Sequence, residues 1–210
     1  MAIEKKLLIF DLGGVVIDLH VERTFGTFVA MGVDASMLTE TQCLMNRMIL
    51  DYDRGDVATD DFFSYIESKL PPYVRELPSD ELRERVADIW NMMLGDFSVE
   101  KIQRIKALKE EGYRVVLLSN TNEAHWDVIE RRMLRAAGCH INELFDALYL
   151  SYRMNMRKPE PEIFLELLRN EGVDATDAFF FDDSEANCDI ARTLGIESMC
   201  LERNAAWPLF

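Results

Sequence analysis

Lys6-Leu7-Leu8-Ile9-Phe10-Asp11-Leu12-Gly13-Gly14 is the stretch whose reading decides the fold. A continuous apolar run that ends in an aspartate and two glycines reads as a buried strand whose tip opens into a loop. The shape recurs along the chain. Arg114–Leu118 ends in Ser119-Asn120-Thr121-Asn122, Leu148–Leu150 in Ser151, and Ala178–Phe181 in Asp182-Asp183, while Ser198–Leu201 is a weaker fifth run. Between them lie helix-period segments with glycine stops: Glu100–Glu111 before Gly112, Glu123–Ala137 before Gly138, Pro161–Glu171 before Gly172 and Glu185–Leu194 before Gly195. Apolar strands alternating with helices imply an α/β protein with a parallel sheet covered on both faces. Ligands in such folds sit beyond the carboxyl ends of the strands, where Asp11, Ser119 and Asp182-Asp183 fall.

The stretch from about Asp18 to Gly95 has a different texture. It is helix-patterned without a convincing strand and is broken by Pro71-Pro72 and Pro78. Four helices are expected, near 21–31, 35–50, 59–70 and 79–94. Because this block interrupts the first strand-to-helix crossover, it is expected to fold as a helical insertion beside the strand tips, residues 18–95, with 1–17 and 96–210 forming the core.

The chain has 210 residues, 49% hydrophobic and 29% charged, an ordinary balance for a folded protein with a real core. Lys plus Arg number 23 and Asp plus Glu 38, a formal charge of −15. That balance argues against nucleic acid as a partner, since phosphate-backbone binders need a basic face. The N-terminus lacks a signal-peptide core and no stretch is long enough to span a bilayer, so a cytoplasmic protein with no membrane partner is expected, as monomer or homodimer. Cys43, Cys139, Cys188 and Cys200 have no zinc-knuckle spacing and read as buried thiols; His20, His125 and His140 have no metal-ligand spacing either.

A carboxylate at a strand tip can attack phosphorus and form an aspartyl phosphate, which makes Asp11 a candidate nucleophile; a turn or capping role is the plainer alternative. Asp182-Asp183 repel one another unless a cation relieves them, and Mg²⁺ prefers such hard oxygen ligands. The plainer alternative is an acidic helix start before Glu185. Lys158, in Met156-Arg157-Lys158-Pro159-Glu160-Pro161-Glu162, could neutralise a nucleophile and a phosphoryl group, or be a solvated surface lysine. Ser119-Asn120-Thr121-Asn122 offers a hydroxyl and amides leading into a helix, an anion cradle or an ordinary turn. His125-Trp126 opens the helix after this loop and could line the pocket, with a surface pair at a helix start as the plainer reading, and Trp207-Pro208 reads as a tail packed on the sheet edge.

In this order and at these strand ends, FDLGGVV (10–16), LLSNTN (117–122), MRKPEPE (156–162) and FFFDD (179–183) resemble the four motifs of the haloacid dehalogenase superfamily, in its branch with an α-helical cap inserted after the first motif. The set is also similar to the bacterial glucose-1-phosphate phosphatase-like subgroup. The resemblance covers nearly the whole chain and implies a Rossmann-like core with an all-helical cap. It implies a Mg²⁺-dependent hydrolase of a small phosphorylated metabolite, a sugar phosphate or sugar 1-phosphate, working through an aspartyl-phosphate intermediate. By the same resemblance Asp11 is the nucleophile, Ser119 and the Asn120 amide hold the phosphate, and Lys158 clamps it. Asp11, the Gly13 carbonyl and Asp183 bind Mg²⁺, with Asp182 acting through a metal-bound water. The segment Asp51–Gly55 corresponds to the cap turn facing the site, with Arg54 as the specificity residue.

Gly13 departs from the superfamily pattern, which places a second aspartate there to protonate the leaving oxygen and later activate water. General acid–base help is typically worth about 10²–10⁴-fold. Either the leaving group needs little protonation, as the anomeric oxygen of a sugar 1-phosphate does, or another acid such as Asp18, His20 or a cap residue, or a bound water, replaces it. Two other readings stay open: a metal-independent 2-haloacid dehalogenase, and a catalytically silent binding or regulatory protein.

Overall fold

The computed structural model describes residues 5–34 and 47–207. Strands β1 (Leu7–Phe10), β2 (Ile17–Leu19), β3 (Leu94–Phe97), β4 (Arg114–Ser119), β5 (Ala147–Leu150), β6 (Ala178–Asp182) and β7 (Glu197–Cys200) follow one another in the chain. Five of them form a parallel sheet in the order β5-β4-β1-β6-β7, with β1 at the centre. Both faces of β1 are covered, which is why its sequence is apolar at every position rather than at every second one. Leu8 and Phe10 point into one layer with Val115, Leu117 and Phe181. Leu7 and Ile9 point into the other, with Val116, Phe180 and the helix side chains Ile163, Phe164 and Leu167.

The register sets the strand tips side by side. Phe10 pairs with Leu117 and Phe181, so Asp11, Ser119 and Asp182 emerge at one edge. The helices Glu123–Ala137 and Pro161–Glu171 end at Gly138 and Gly172 as the sequence leads one to expect.

Two elements depart from the reading of residues 18–95. β2 and β3 pair antiparallel as a separate two-stranded ribbon, so the boundaries placed at 17/18 and 95/96 fall inside strands. Ile17-Asp18-Leu19 is too short for its alternation to stand out, and β3 contains Gly95, where the Asp18 Cβ comes within 2.7 Å of any added Cβ. The last expected helix stops at Trp90, after which a 3₁₀ turn over Asn91–Met93 leads into β3.

Helices Val21–Ala30, Thr59–Lys69 and Ser79–Trp90 form the insert with Arg47–Arg54; of the helix expected at 35–50, residues 35–46 lie outside the described residues. Asp51–Arg54 are helical rather than a turn, helped by the Arg47–Asp51 pair one turn apart (Nε to Oδ2, 2.8 Å). The turn comes at Gly55, whose φ of +87° and close approach to the Tyr152 carbonyl leave no room for a side chain. Tyr52 stacks on Phe62 at 4.1 Å and Phe62 meets Trp90 at 4.8 Å, giving the insert an aromatic core. Trp90 in turn stacks on His125 of the sheet-flanking helix at 5.0 Å, which joins insert to core.

Trp207 lies on Phe10 at 4.9 Å and donates Nε1–H to the Val15 carbonyl at 3.0 Å, so this end of the chain packs over the central strand rather than the sheet edge. Asn204 acts as a short strand mimic: Leu19 N–H donates to Asn204 Oδ1 (2.8 Å), and Asn204 Nδ2 donates to the Leu19 carbonyl (3.0 Å). Among the described residues no helix is long and apolar enough to cross a membrane.

Candidate active site

Asp11 leaves β1 with its amide donating to the Phe181 carbonyl at 2.8 Å, which ties the candidate nucleophile to the neighbouring strand. Lys158 approaches from the loop before the Pro161–Glu171 helix. Its main chain is held on both sides by one side chain: Asn120 Nδ2 donates to the Lys158 carbonyl (2.8 Å) and Asn120 Oδ1 accepts from the Lys158 amide (2.9 Å). The ammonium, on a residue 1% exposed, donates to Asp11 Oδ1 and Asp182 Oδ2, each at 2.6 Å, and to the Leu118 carbonyl at 2.8 Å. Lys158 is therefore no surface lysine.

Burial pushes the Lys158 ammonium pKa down, but Asp11 and Asp182 together overturn that and leave it raised. For Asp11, burial raises the carboxyl pKa, Lys158 pulls it back, and Asp182 and Asp183 raise it further, to about 7. A nearby cation is what returns such a group to its ionised, nucleophilic form.

Asp182 and Asp183 have separate duties. Asp182 is fully buried, and its oxygens accept from Lys158, the Ser184 amide (2.8 Å) and Asn187 Nδ2 (3.0 Å). Asp183 takes Arg203 Nε on Oδ2 at 2.6 Å. One carboxylate oxygen from each of Asp11, Asp182 and Asp183 lies within 4.8 Å of the others, a donor set of hard oxygens that fits Mg²⁺. The backbone makes space for it: Gly14 has φ +76°, and a Cβ there would sit 2.5 Å from Asp183 Oδ2.

Ser119 ends β4 at 2% exposure, and among the described residues its hydroxyl makes only a long 3.4 Å contact with the Asn120 carbonyl, leaving it available to an anion. Asn122 caps the helix Glu123–Ala137, accepting from the His125 amide at 3.0 Å, so the N-terminus of a 15-residue helix stands behind the loop.

These groups line a cavity of about 440 Å³ between the strand tips and the insert. Asp11, Gly13, Ser119, Asn120, Lys158 and Asp183 all border it. The insert and ribbon add an apolar side, including Leu19, Phe25, Ile49, Leu50 and Met93. Arg54 is placed elsewhere: its guanidinium pairs with the Glu160 carboxylate and it does not border the cavity. Asp18 and His20 do not border it either.

Sequence reasoning missed or underrated four cavity residues. His125 is buried rather than superficial, its Nδ1 lies 2.8 Å from Asn91 Oδ1, and burial pushes its pKa down to about 3, so the imidazole is neutral. Arg157 borders the cavity with a buried Nε that has no hydrogen-bond partner among the described residues, and its signal was adjacency to Lys158. Asp53 lay unremarked within the Asp51–Gly55 segment. Arg203 carried no local signal at all.

Comparison with known proteins gives a consistent result. The family model for "haloacid dehalogenase-like hydrolase" matches residues 5–195. The chain is 27% identical over 202 residues to a D-ribitol-5-phosphate phosphatase of Bacteroides thetaiotaomicron, covering 96% of this chain and 94% of that one. A crystal structure of a haloacid dehalogenase family enzyme from the same organism, in complex with magnesium and inorganic phosphate, is similar with a TM-score of 0.84 and 32% identity, covering 97% of each chain. The structure of a predicted haloacid dehalogenase-like family hydrolase from Porphyromonas gingivalis is similar with a TM-score of 0.82 and 30% identity, covering 98% of this chain and 95% of that one. With its motifs at the tips of one parallel sheet and its length matched almost throughout, the chain belongs to the haloacid dehalogenase-like hydrolases.

Proposed function

We propose that this hydrolase cleaves phosphomonoesters of a small metabolite, with Asp11 as nucleophile and Mg²⁺ as cofactor. The observation that carries the reading is the buried cluster in which Lys158 bridges Asp11 and Asp182 while Asp183 stands within ligand distance of both. Asp11, the Gly13 carbonyl and Asp183 would hold the ion, with Asp182 acting through a water. When bound, Mg²⁺ offsets the charge of the carboxylates and of the phosphoryl group.

In the first step an Asp11 oxygen bonds phosphorus as the ester P–O bond breaks, releasing the alcohol. Water then displaces Asp11, yielding inorganic phosphate. Lys158 orients Asp11 and neutralises charge on the transferring group, and Ser119 with the Asn120 amide positions its oxygens. The name of the ribitol-phosphate phosphatase relative and its near-complete alignment support a sugar or polyol phosphate as substrate. The narrower sugar 1-phosphate form rests on Gly13, and holds only if no other group protonates the leaving oxygen.

A cluster of three carboxylates argues against the metal-independent dehalogenase reading, because a metal-free site gains nothing from their repulsion. The test is phosphate release across polyol phosphates, hexose 1- and 6-phosphates and alkyl phosphates, with and without Mg²⁺. Mg²⁺-dependent release that Asp11→Asn abolishes is expected. Metal-independent chloride release from 2-chloropropionate, or a well-folded sample inert to the whole panel, would reject the proposal.

A further inference from the structure

We infer that Asp53, carried by the inserted helices, is the acid that protonates the leaving oxygen in place of a side chain at residue 13. The inference rests on phosphoryl transfer to Asp11 and adds the residue that completes it. A proton donor must border the cavity, release a proton near neutral pH and be free of another commitment. Among the described residues the candidates fall away one by one. Asp11 is the attacking group, and Asp183 faces Arg203 and the candidate metal position. Lys158 is held between two carboxylates, and arginines keep their protons far above neutral pH. His125 directs Nδ1 at Asn91 and is neutral, which leaves Nε2 without a proton to give. Asp18 and His20 lie off the cavity.

Asp53 remains, and its setting suits the task. Its Oδ1 accepts from Asn122 Nδ2 at 2.9 Å, which docks the carboxyl group against the loop that bears Ser119. Its main-chain carbonyl accepts from the buried Ser151 hydroxyl, fixing the helix end to the core. Oδ2 takes no side-chain hydrogen bond among the described residues and is the oxygen left to carry the proton. Burial raises the Asp53 pKa, the facing Asn122 amide and Arg157 guanidinium pull it down, and the balance lies at about 6. In the first step the Asp53 proton passes to the leaving oxygen as the ester P–O bond breaks and the Asp11–phosphorus bond forms. In the second, the Asp53 carboxylate takes a proton from the water whose oxygen bonds phosphorus while the Asp11–phosphorus bond breaks, which restores the acid. Phosphates of ordinary alcohols are then substrates despite Gly13.

The experiment measures the rapid phase of phenol release from a series of substituted phenyl phosphates by the Mg²⁺-loaded enzyme and by Asp53→Asn, which keeps the acceptor for Asn122. Asp53→Asn is expected to slow phenyl phosphate by about 100-fold or more while slowing 4-nitrophenyl phosphate, whose leaving group needs no proton, by less than about fivefold. Equal losses on both, or none, would overturn the inference. If Asp53→Asn melts early, Arg157→Met supplies the second reading: removal of the facing cation moves the alkaline limb of the release rate upward in pH, and an unmoved limb overturns the assignment. Failure of the underlying reading looks different, because then the wild type releases no phenol or Asp11→Asn releases it undiminished.

Discussion

Arg203 Nε stands 2.6 Å from Asp183 Oδ2, so the carboxylate in position to bind a divalent ion is already paired with a cation 20 residues further along the chain. The ion must compete with that guanidinium. Arg203→Ala is expected to tighten Mg²⁺ binding by up to roughly fivefold, the scale of a part-exposed pair, as read by calorimetric titration of the metal. Weaker binding would show that Arg203 instead holds Asp183 in its ligating orientation.

Gly14→Ala should have the opposite effect. Its φ of +76° disfavours any side chain, and the new Cβ would press on Asp183 Oδ2 at 2.5 Å. Mg²⁺ affinity and turnover are both expected to fall by about tenfold or more. Gly13→Asp is milder, because there the added Cβ meets only the Leu19 Cδ2 methyl at 3.3 Å, which can move. This variant is expected to fold and, combined with Asp53→Asn, to restore phenyl phosphate turnover by supplying a second proton donor.

Lys158→Met removes the cation that two buried carboxylates share. Breaking such a buried pair costs about 3–5 kcal/mol. The metal-free variant is therefore expected to melt well below the wild type at neutral pH and to show no measurable turnover. Adding Mg²⁺ should recover much of the melting temperature and none of the activity, since the metal can offset charge among the carboxylates but leaves the transferring phosphoryl group without the Lys158 ammonium.

Arg54 and Glu160 join the insert to the core, with Arg54 Nη1 donating to Glu160 Oε2 at 2.8 Å. Arg54→Ala and Glu160→Ala should each raise KM by a similar factor, and the double variant should be no worse than either alone. An additive pair would mean that Arg54 meets the substrate on its own account.

Asp53 also leaves a thermodynamic trace. Its folded pKa of about 6 lies above the usual 3.8, so the stability it contributes is fully present below 3.8 and is lost as pH rises through about 6. The melting temperature of the metal-free wild type minus that of Asp53→Asn should therefore decrease across this window and stay constant above it.

Much of the architecture was legible because its physics is local. A strand buried on both faces must be apolar at every position, so β1, β4 and β6 announced themselves, and the polar residues ending them marked the ligand edge. Asp11, Ser119 and Asp183 could be grouped because each ends or adjoins such a strand, whereas Lys158, in the loop before the Pro161–Glu171 helix, joined them only through the resemblance of its motif. What escaped depends on contacts between distant segments. The β2–β3 ribbon joins residues more than 70 positions apart through strands of three and four residues. His125 looked superficial because a helix start is usually solvated; Trp90 and Asn91, distant in sequence, pack against its ring. Arg54 looked like a substrate contact because nothing nearby in the sequence reveals Glu160 as its partner.

Residues 203–207 brace three separate parts of the site: Arg203 meets Asp183, Asn204 splints Leu19, and Trp207 covers Phe10 beside the nucleophile. The surroundings of Asp11 are therefore closed by a segment more than 190 positions further along the chain. A variant cut just before Arg203 would carry every motif of the site and still lack its finished shape.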